Sequence, residues 1–205
     1  MTDEIHITLM RHGRSRADDE QVHEGRYDSP LTETGITQAQ ARADDFKARE
    51  FLFDMIISST LIRAVKTATI IGQSLNVPIE KDPDWMEFNN GPLAGLPFDI
   101  AEERFPTPKF RSPYEPFHST GESDWEIHRR GARAVENVIR RGSGSYLVVA
   151  HGGILNAALR NIFGTPPFSW IHGTVFVLGD TGYIRLIYQP SNDRWKFLEL
   201  NPGFN

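Results

Sequence analysis

Near the start of the chain, Ile5, Ile7 and Leu9 alternate with His6, Thr8 and Met10. This period-two pattern predicts a half-buried strand, and it runs straight into Arg11-His12-Gly13. An acidic, turn-rich loop over residues 18–30 comes next. Beyond it, Ile36, Ala39, Ala43 and Phe46 fall on one face at helical spacing, with Thr32 placed to cap that helix. Met55-Ile56-Ile57 predicts a buried strand that leads into Ser58-Ser59-Thr60. The following helix carries Leu61, Val65, Ala68, Ile71 and Leu75 on its apolar stripe, and Asn76 and Pro78 end it.

Between residues 104 and 121, Pro106, Pro108, Pro113 and Pro116 interleave with Phe105, Phe110, Tyr114 and Phe117. Proline lacks a backbone N–H and fixes φ, so this segment is neither a regular helix nor a central strand. A further helix is predicted from about Glu122 to Arg140, with Trp125, His128, Ala132, Val135 and Ile139 inward. Residues 146–150 form a continuous apolar run, followed at once by His151-Gly152-Gly153 and a short helix to Phe163. Two or three further strands, among 175–178, 183–188 and 195–200, are predicted to close the chain. Strands alternating with helices predict a layered α/β domain with a mainly parallel sheet. There is no internal repeat, and the expectation is one domain over residues 1–205.

Composition narrows the chemistry. The chain of 205 residues has 22 Lys and Arg against 27 Asp and Glu, a formal charge of −5. A mildly acidic protein is poorly suited to nucleic acid or an anionic membrane, so neither is an expected partner. Any anionic ligand must be held by a local cluster of cations. Cysteine is absent, which excludes disulfides, thiolate metal sites and cysteine nucleophiles. The start, Met1-Thr2-Asp3-Glu4, is not the basic opening of a signal peptide, and no apolar run reaches membrane-spanning length. The expected location is cytoplasmic.

Three strand-to-helix junctions carry suggestive side chains: Arg11-His12, Arg63 and His151. In a parallel sheet all three lie on one edge, the edge where open α/β sheets bind ligands. Two of them open a helix, whose free N–H groups and dipole attract anions. Two guanidinium groups and two imidazoles converging there describe a phosphate site, since the arginine fork meets phosphate oxygens two at a time. His6, His23, His118, His128 and His172 show no metal-ligand spacing and are expected in surface, capping or packing roles.

On these residues the chain resembles the histidine phosphatase (phosphoglycerate mutase-like) superfamily. The family's opening Arg-His-Gly is matched by Arg11-His12-Gly13, and its second landmark by Ser58-Ser59-Thr60-Leu61-Ile62-Arg63-Ala64. Glu87, Gly91 and Gly95 match the third, and His151-Gly152-Gly153 the fourth. Residues 28–35 and 121–123 are also similar, and the resemblance spans residues 5 to about 165. It implies a three-layer fold and a nucleophilic His12 that forms a phosphohistidine. Arg11, Arg63, His151 and the Gly152 N–H would hold the phosphoryl oxygens. Glu87 would be the general acid and base, with Asp82, Asp84, Glu102 and Glu103 as alternative carboxylates nearby. Asp18, Glu24 and Gly25 would lie on the substrate side. No metal and no cofactor are implied.

The chain also departs from the family pattern. Arg14 stands where members often carry Glu or Gln, and Asp18 where they often carry a phosphate-binding Asn. An ionised Asp18 would repel phosphate, and so would orient Arg11 or Arg63, or face away. Glu24-Gly25 replaces the hydroxyl residue and glycine of the mutases. Phe88-Asn89-Asn90 lacks the arginine that mutases place after the catalytic Glu, and residues 104–121 lack an arginine pair. The expectation is therefore a metal-independent phosphatase acting on a small phosphorylated molecule. The alternatives are a bisphosphoglycerate-primed phosphoglycerate mutase and a non-catalytic phosphate-binding or protein-interaction module. The segment 104–121 reads equally as a lid, its aromatic residues contacting the leaving group and Lys109, Arg111 or His118 meeting an anionic tail, and as an ordinary surface loop pinned by its aromatics.

Overall fold

The computed structural model describes residues 3–168 and 173–204; the expectation for His172 lies outside the described residues. In chain order the elements are β1 (Ile5–Arg11), α1 (Arg16–Glu20), α2 (Glu33–Ala48), β2 (Met55–Ser58), α3 (Ile62–Leu75) and β3 (Ile79–Lys81). They continue with α4 (Phe98–Arg104), α5 (Asp124–Ile139), β4 (Gly144–Ala150), α6 (Gly152–Ile162), β5 (Tyr183–Gln189) and β6 (Arg194–Asn201). The strands form one sheet in the order β3-β2-β4-β1-β5-β6. β1, β2, β3 and β4 run parallel, β5 is antiparallel to β1, and β6 is antiparallel to β5. No helix among the described residues is long and apolar enough to cross a membrane.

Strand alternation sorts the side chains into two cores, one on each face of the sheet. Ile5, Ile7 and Leu9 of β1 join Val148 and Ala150 of β4 against Ile127, Ala134 and Val138 of α5 and Ile154 and Leu155 of α6. On the other face Met10, Ile56, Leu147 and Val149 meet Ala43 and Phe46 of α2 and Ala64, Ala68 and Ile71 of α3. β4 is covered on both faces, which is why residues 146–150 read as one apolar run without alternation. Full burial of each large side chain contributes roughly 1.5–3 kcal/mol before entropy is counted. Two sheet faces covered by two helix pairs give the three-layer α/β architecture.

Side-chain caps fix the helix ends. Thr32 accepts from Gly35 N at 3.0 Å at the start of α2, and Ser123 accepts from Glu126 N at 3.1 Å at the start of α5. Asn76 closes α3 in the left-handed conformation.

Three expectations fail. β1 is not half-buried, because helices cover both sheet faces and Thr8 and Met10 are buried along with Ile5, Ile7 and Leu9. Residues 175–178 are not a strand, because their backbone is held by side chains of α6. Asn156 Oδ1 accepts from Phe176 N at 2.8 Å, and Arg160 donates to Thr174 O at 2.9 Å. The inward stripe of α5 is also rotated from the predicted one: Ile127, Arg130, Gly131, Ala134, Val135 and Val138 are buried, whereas Trp125 is exposed. Gly131 sets this rotation. A Cβ there would lie 2.9 Å from Ala158 N, so glycine lets α5 press its backbone against α6.

Candidate active site

β1 and β4 run side by side to their C-terminal ends, with Arg11 opposite Ala150. His12 is the next residue, and its backbone is clamped on both sides. Its N–H donates to Ala150 O at 3.0 Å, and its carbonyl accepts from Thr181 N at 3.1 Å. The ring is buried. Nδ1 lies 2.7 Å from Gly13 O, and a carbonyl oxygen only accepts, so Nδ1 carries the proton. The lone pair is therefore on Nε2, where Arg63 Nε donates at 3.1 Å.

Arg63 enters from the first turn of α3, whose Ile62 N–H is capped from a distance by Asp28 Oδ1 at 2.7 Å. Its side chain is fully buried, and its outer nitrogens donate to Tyr27 O and Gly25 O, each at 2.9 Å. Burial pulls the guanidinium pKa down, and Glu24 and Glu87 oppose that shift. Gly25 sits at φ +48°, and a Cβ there would be 1.9 Å from Asn90 Oδ1. Only glycine fits both the turn and the close approach. Its carbonyl holds Arg63.

His151 occupies the N-cap position of α6, with its ring centroid 5.0 Å from that of His12. Nε2 is 2.7 Å from Ser59 Oγ, and Nδ1 has no hydrogen-bond partner among the described residues. Burial first, then the guanidinium groups of Arg63 and Arg11, hold the ring well below the usual imidazole range, so it is neutral. Glu87 reaches the same helix end. Its Oε2 accepts from Gly153 N at 2.9 Å, and its Oε1 from Ile154 N at 3.0 Å and Phe88 N at 2.7 Å. A Cβ on Gly152 would meet nothing within 4 Å, so the space beside the start of α6 is open.

Carboxylates surround the two arginines. Arg11 NH2 lies 3.8 Å from Asp18 Oδ1 and 3.7 Å from Asp180 Oδ1, and its NH1 donates to Leu178 O at 3.3 Å. Asp18 Oδ2 accepts from Ser15 N at 2.8 Å. Asp18 thus orients Arg11, one of the roles its charge left open. Glu24 Oε1 is 3.1 Å from Arg63 Nε and accepts from Ser15 Oγ, and its Oε2 is 3.6 Å from His12 Nε2. All nine residues singled out from sequence lie around this one sheet edge.

Residues 7–201 match the profile of the histidine phosphatase superfamily (branch 1). The chain belongs to this superfamily. An uncharacterized phosphatase, PhoE, of Bacillus subtilis (strain 168) is 31% identical over 161 residues, 78% of this chain and 79% of that protein. A probable phosphoglycerate mutase, GpmB, of Yersinia pestis (strain Pestoides F) is 32% identical over 166 residues, 79% of this chain and 76% of that protein. Among solved structures, a mycobacterial glucosyl-3-phosphoglycerate phosphatase complexed with VO3 superposes with a TM-score of 0.80 at 24% identity. That match covers 96% of this chain and 98% of the other. Membership supports a phosphatase or mutase enzyme.

Within this histidine phosphatase fold, several residues that support the site escaped the sequence reading. Asp180 precedes β5 and carries no motif, yet it faces Arg11 and accepts from Gln38 Nε2 at 3.2 Å. Arg130 of α5 is buried beneath the Glu87 turn. Arg26 donates to Glu87 O at 3.4 Å and lies 3.5 Å from Glu122. The one available signal was the wealth of arginine on a helix with an apolar stripe, which usually marks a solvated face.

The 104–121 segment departs from expectation in one respect. Arg111 is buried, paired with Asp124, donates to Glu115 O at 2.6 Å and lies 5.3 Å over the Phe117 ring. It is committed to holding the segment together and does not meet an anionic tail. His118 packs edge-on against the rings of Phe105 and Phe117, at 5.5 and 4.4 Å.

Proposed function

We propose that this chain is a metal-independent phosphomonoesterase that works through a phosphohistidine at His12. The observation that carries the reading is the fixed tautomer: Gly13 O holds the proton on Nδ1 and leaves the Nε2 lone pair beside Arg63. Nε2 attacks phosphorus, the bond to the ester oxygen breaks, and Glu87 in its protonated form gives that oxygen a proton. Arg11, Arg63, His151 and the Gly152 N–H take the developing charge on the phosphoryl oxygens. Glu87, now a carboxylate, takes a proton from water. The resulting hydroxide displaces His12 and releases inorganic phosphate.

His151 suits this role because its buried Nδ1 lacks a partner that a phosphoryl oxygen would supply. The substrate is a small phosphorylated molecule, and the whole chain acts as one domain with residues 104–121 beside the Glu87 turn, where Phe117 packs on Phe88 at 5.5 Å. Hydrolysis is favoured over the mutase reaction because the Glu24 carboxylate and the Phe88-Asn89-Asn90 turn offer no cation to a substrate carboxylate.

The test is phosphate release from a panel of phosphomonoesters with a chelator present, for the wild type and His12→Ala. Release by the wild type that the chelator leaves intact and the substitution abolishes is the expected result. Absence of release across the panel rejects the reading.

A further inference from the structure

Glu24 lies where an incoming phosphoryl group must pass. Its carboxylate touches Arg63 Nε at 3.1 Å and approaches His12 Nε2 at 3.6 Å, with Ser15 Oγ as a third partner. These are the contacts a phosphoryl oxygen needs on its way to Nε2. Burial raises the Glu24 pKa, whereas the Arg63 guanidinium and the Ser15 hydroxyl lower it. The carboxylate is therefore ionised in the free protein.

Further charges face the pocket from each packed element. Asp18 of α1 and Asp180 before β5 oppose Arg11. Glu87 and Asp28 act on Arg63. The imidazoles are His12 and the neutral His151. Arg11 and Arg63 thus answer Glu24, Asp18 and Asp180 at the pocket, while Arg14 acts on Asp18 and Asp180 from outside it and Arg26 on Glu87. A dianionic phosphate brought against Glu24 would make a direct like-charge contact. One proton between the two oxygens converts the repulsion into a short, charge-assisted O–H···O bond.

We propose that Glu24 is a specificity-determining residue that makes this pocket take the phosphoryl group with one added proton, as a monoanion, and reject oxyanions that stay fully ionised. The inference rests on the phosphatase reading of the pocket and goes beyond it. A phosphate ester loses its second proton near pH 6, so above about pH 6 binding must draw a proton from solvent. Sulfate, which stays dianionic in neutral solution, serves as the contrasting probe.

The experiment is calorimetric titration of the full chain with methylphosphonate at about pH 9, where its dianion, like that of an ester and unlike hydrogen phosphate, brings no proton of its own, in two buffers of different ionisation heat. The wild type should take up about one proton per phosphonate bound, and Glu24→Gln close to none. Glu24→Gln should also bind sulfate at least ~10-fold more tightly than the wild type does. Uptake that is absent in the wild type overturns the proposal. Uptake that persists in Glu24→Gln also overturns it, by assigning the proton to an imidazole. Should the variant not fold, the wild type alone decides: proton uptake with methylphosphonate and at least ~10-fold preference for it over sulfate support the proposal, and equal affinities without uptake overturn it. Ester hydrolysis on the same preparation separates the two readings. Hydrolysis without Glu24-linked uptake defeats this inference alone, whereas no hydrolysis and no phosphonate binding defeat both.

Discussion

Arg130 and Glu122 meet in a two-point ion pair, Nε to Oε1 at 2.8 Å and NH2 to Oε2 at 2.6 Å. The same guanidinium holds the turn that carries Glu87, donating to Asp84 O at 2.8 Å, Met86 O at 2.5 Å and Glu87 O at 3.2 Å. Glu122 completes the clasp from the other side, accepting from Asn89 N at 2.9 Å. Arg130 is therefore a positioning residue. Arg130→Lys keeps the charge and loses the fork. The expected outcome is a fall in kcat of roughly 10- to 100-fold, part of the ~10²–10⁴ that general acid–base catalysis supplies, with KM nearly unchanged. Steady-state kinetics on one ester checks it. Equal changes in kcat and KM would show that Arg130 supports the fold and not the placement of Glu87.

Much of this centre is legible in the chain because it sits at strand ends. Alternation through Ile5, Ile7 and Leu9 locates the end of β1, and the apolar run of β4 locates His151, so parallel pairing alone brings His12 and His151 together. Arg63 follows from the same logic, one turn into α3. The support beneath the site is not legible. Arg130 lies on a helix whose inward face depends on the close approach at Gly131, and no period reveals that. Asp180 meets Arg11 only because β5 pairs antiparallel with β1, a long-range choice that local pattern does not encode. The position of Glu24 depends on how the eight residues between it and Ser15, α1 among them, fold, so its identity was visible while its contact with His12 was not.

Gly153 offers a probe of Glu87 that leaves the carboxylate chemically intact. A Cβ there would lie 2.5 Å from Glu87 Oε1, the mobile end of a side chain, and 3.4 Å from the nearest Phe88 atom. The fold should absorb Gly153→Ala, since alanine is also the better helix former. Glu87, in contrast, must move. Expected are an unfolding midpoint at or above that of the wild type and turnover lowered by roughly 10-fold or more, because small misplacement of a catalytic group is costly. Parallel urea denaturation and kinetics test this, and unchanged turnover would show that Glu87 acts from a different position.

His151 makes stability depend on pH. Its folded pKa is lowered, chiefly by burial, while the unfolded chain binds a proton near the ordinary value of about 6.5. Below about pH 6.5 the unfolded state therefore holds more protons, and stability falls as pH drops from there. His23, His118 and His128 are also lowered by burial and act in the same direction. His151→Gln removes the largest contributor, and the slope of unfolding free energy between about pH 5 and 6.5 should decrease by up to ~1.4 kcal/mol per pH unit. Urea midpoints at several pH values measure it. An unaltered slope would mean that His151 titrates alike in both states.

Arg63 and Glu24 are coupled through burial. Arg63→Gln leaves the Glu24 carboxylate without its cation and removes the donors that Gly25 O and Tyr27 O accept from. Breaking a buried pair from one side costs about 3–5 kcal/mol, much of it for the charge left behind. Adding Glu24→Gln removes that charge, so the double variant should recover about 1–3 kcal/mol relative to the sum of the single losses. Activity should not recover with it, because the guanidinium that faces Nε2 and the phosphoryl oxygens is still missing. Denaturant unfolding of the four proteins in the cycle, with phosphate release measured on each, separates the two effects. Additive stability losses would show that the pair is not coupled in the folded chain. Recovered activity would show that Arg63 serves only to neutralise Glu24.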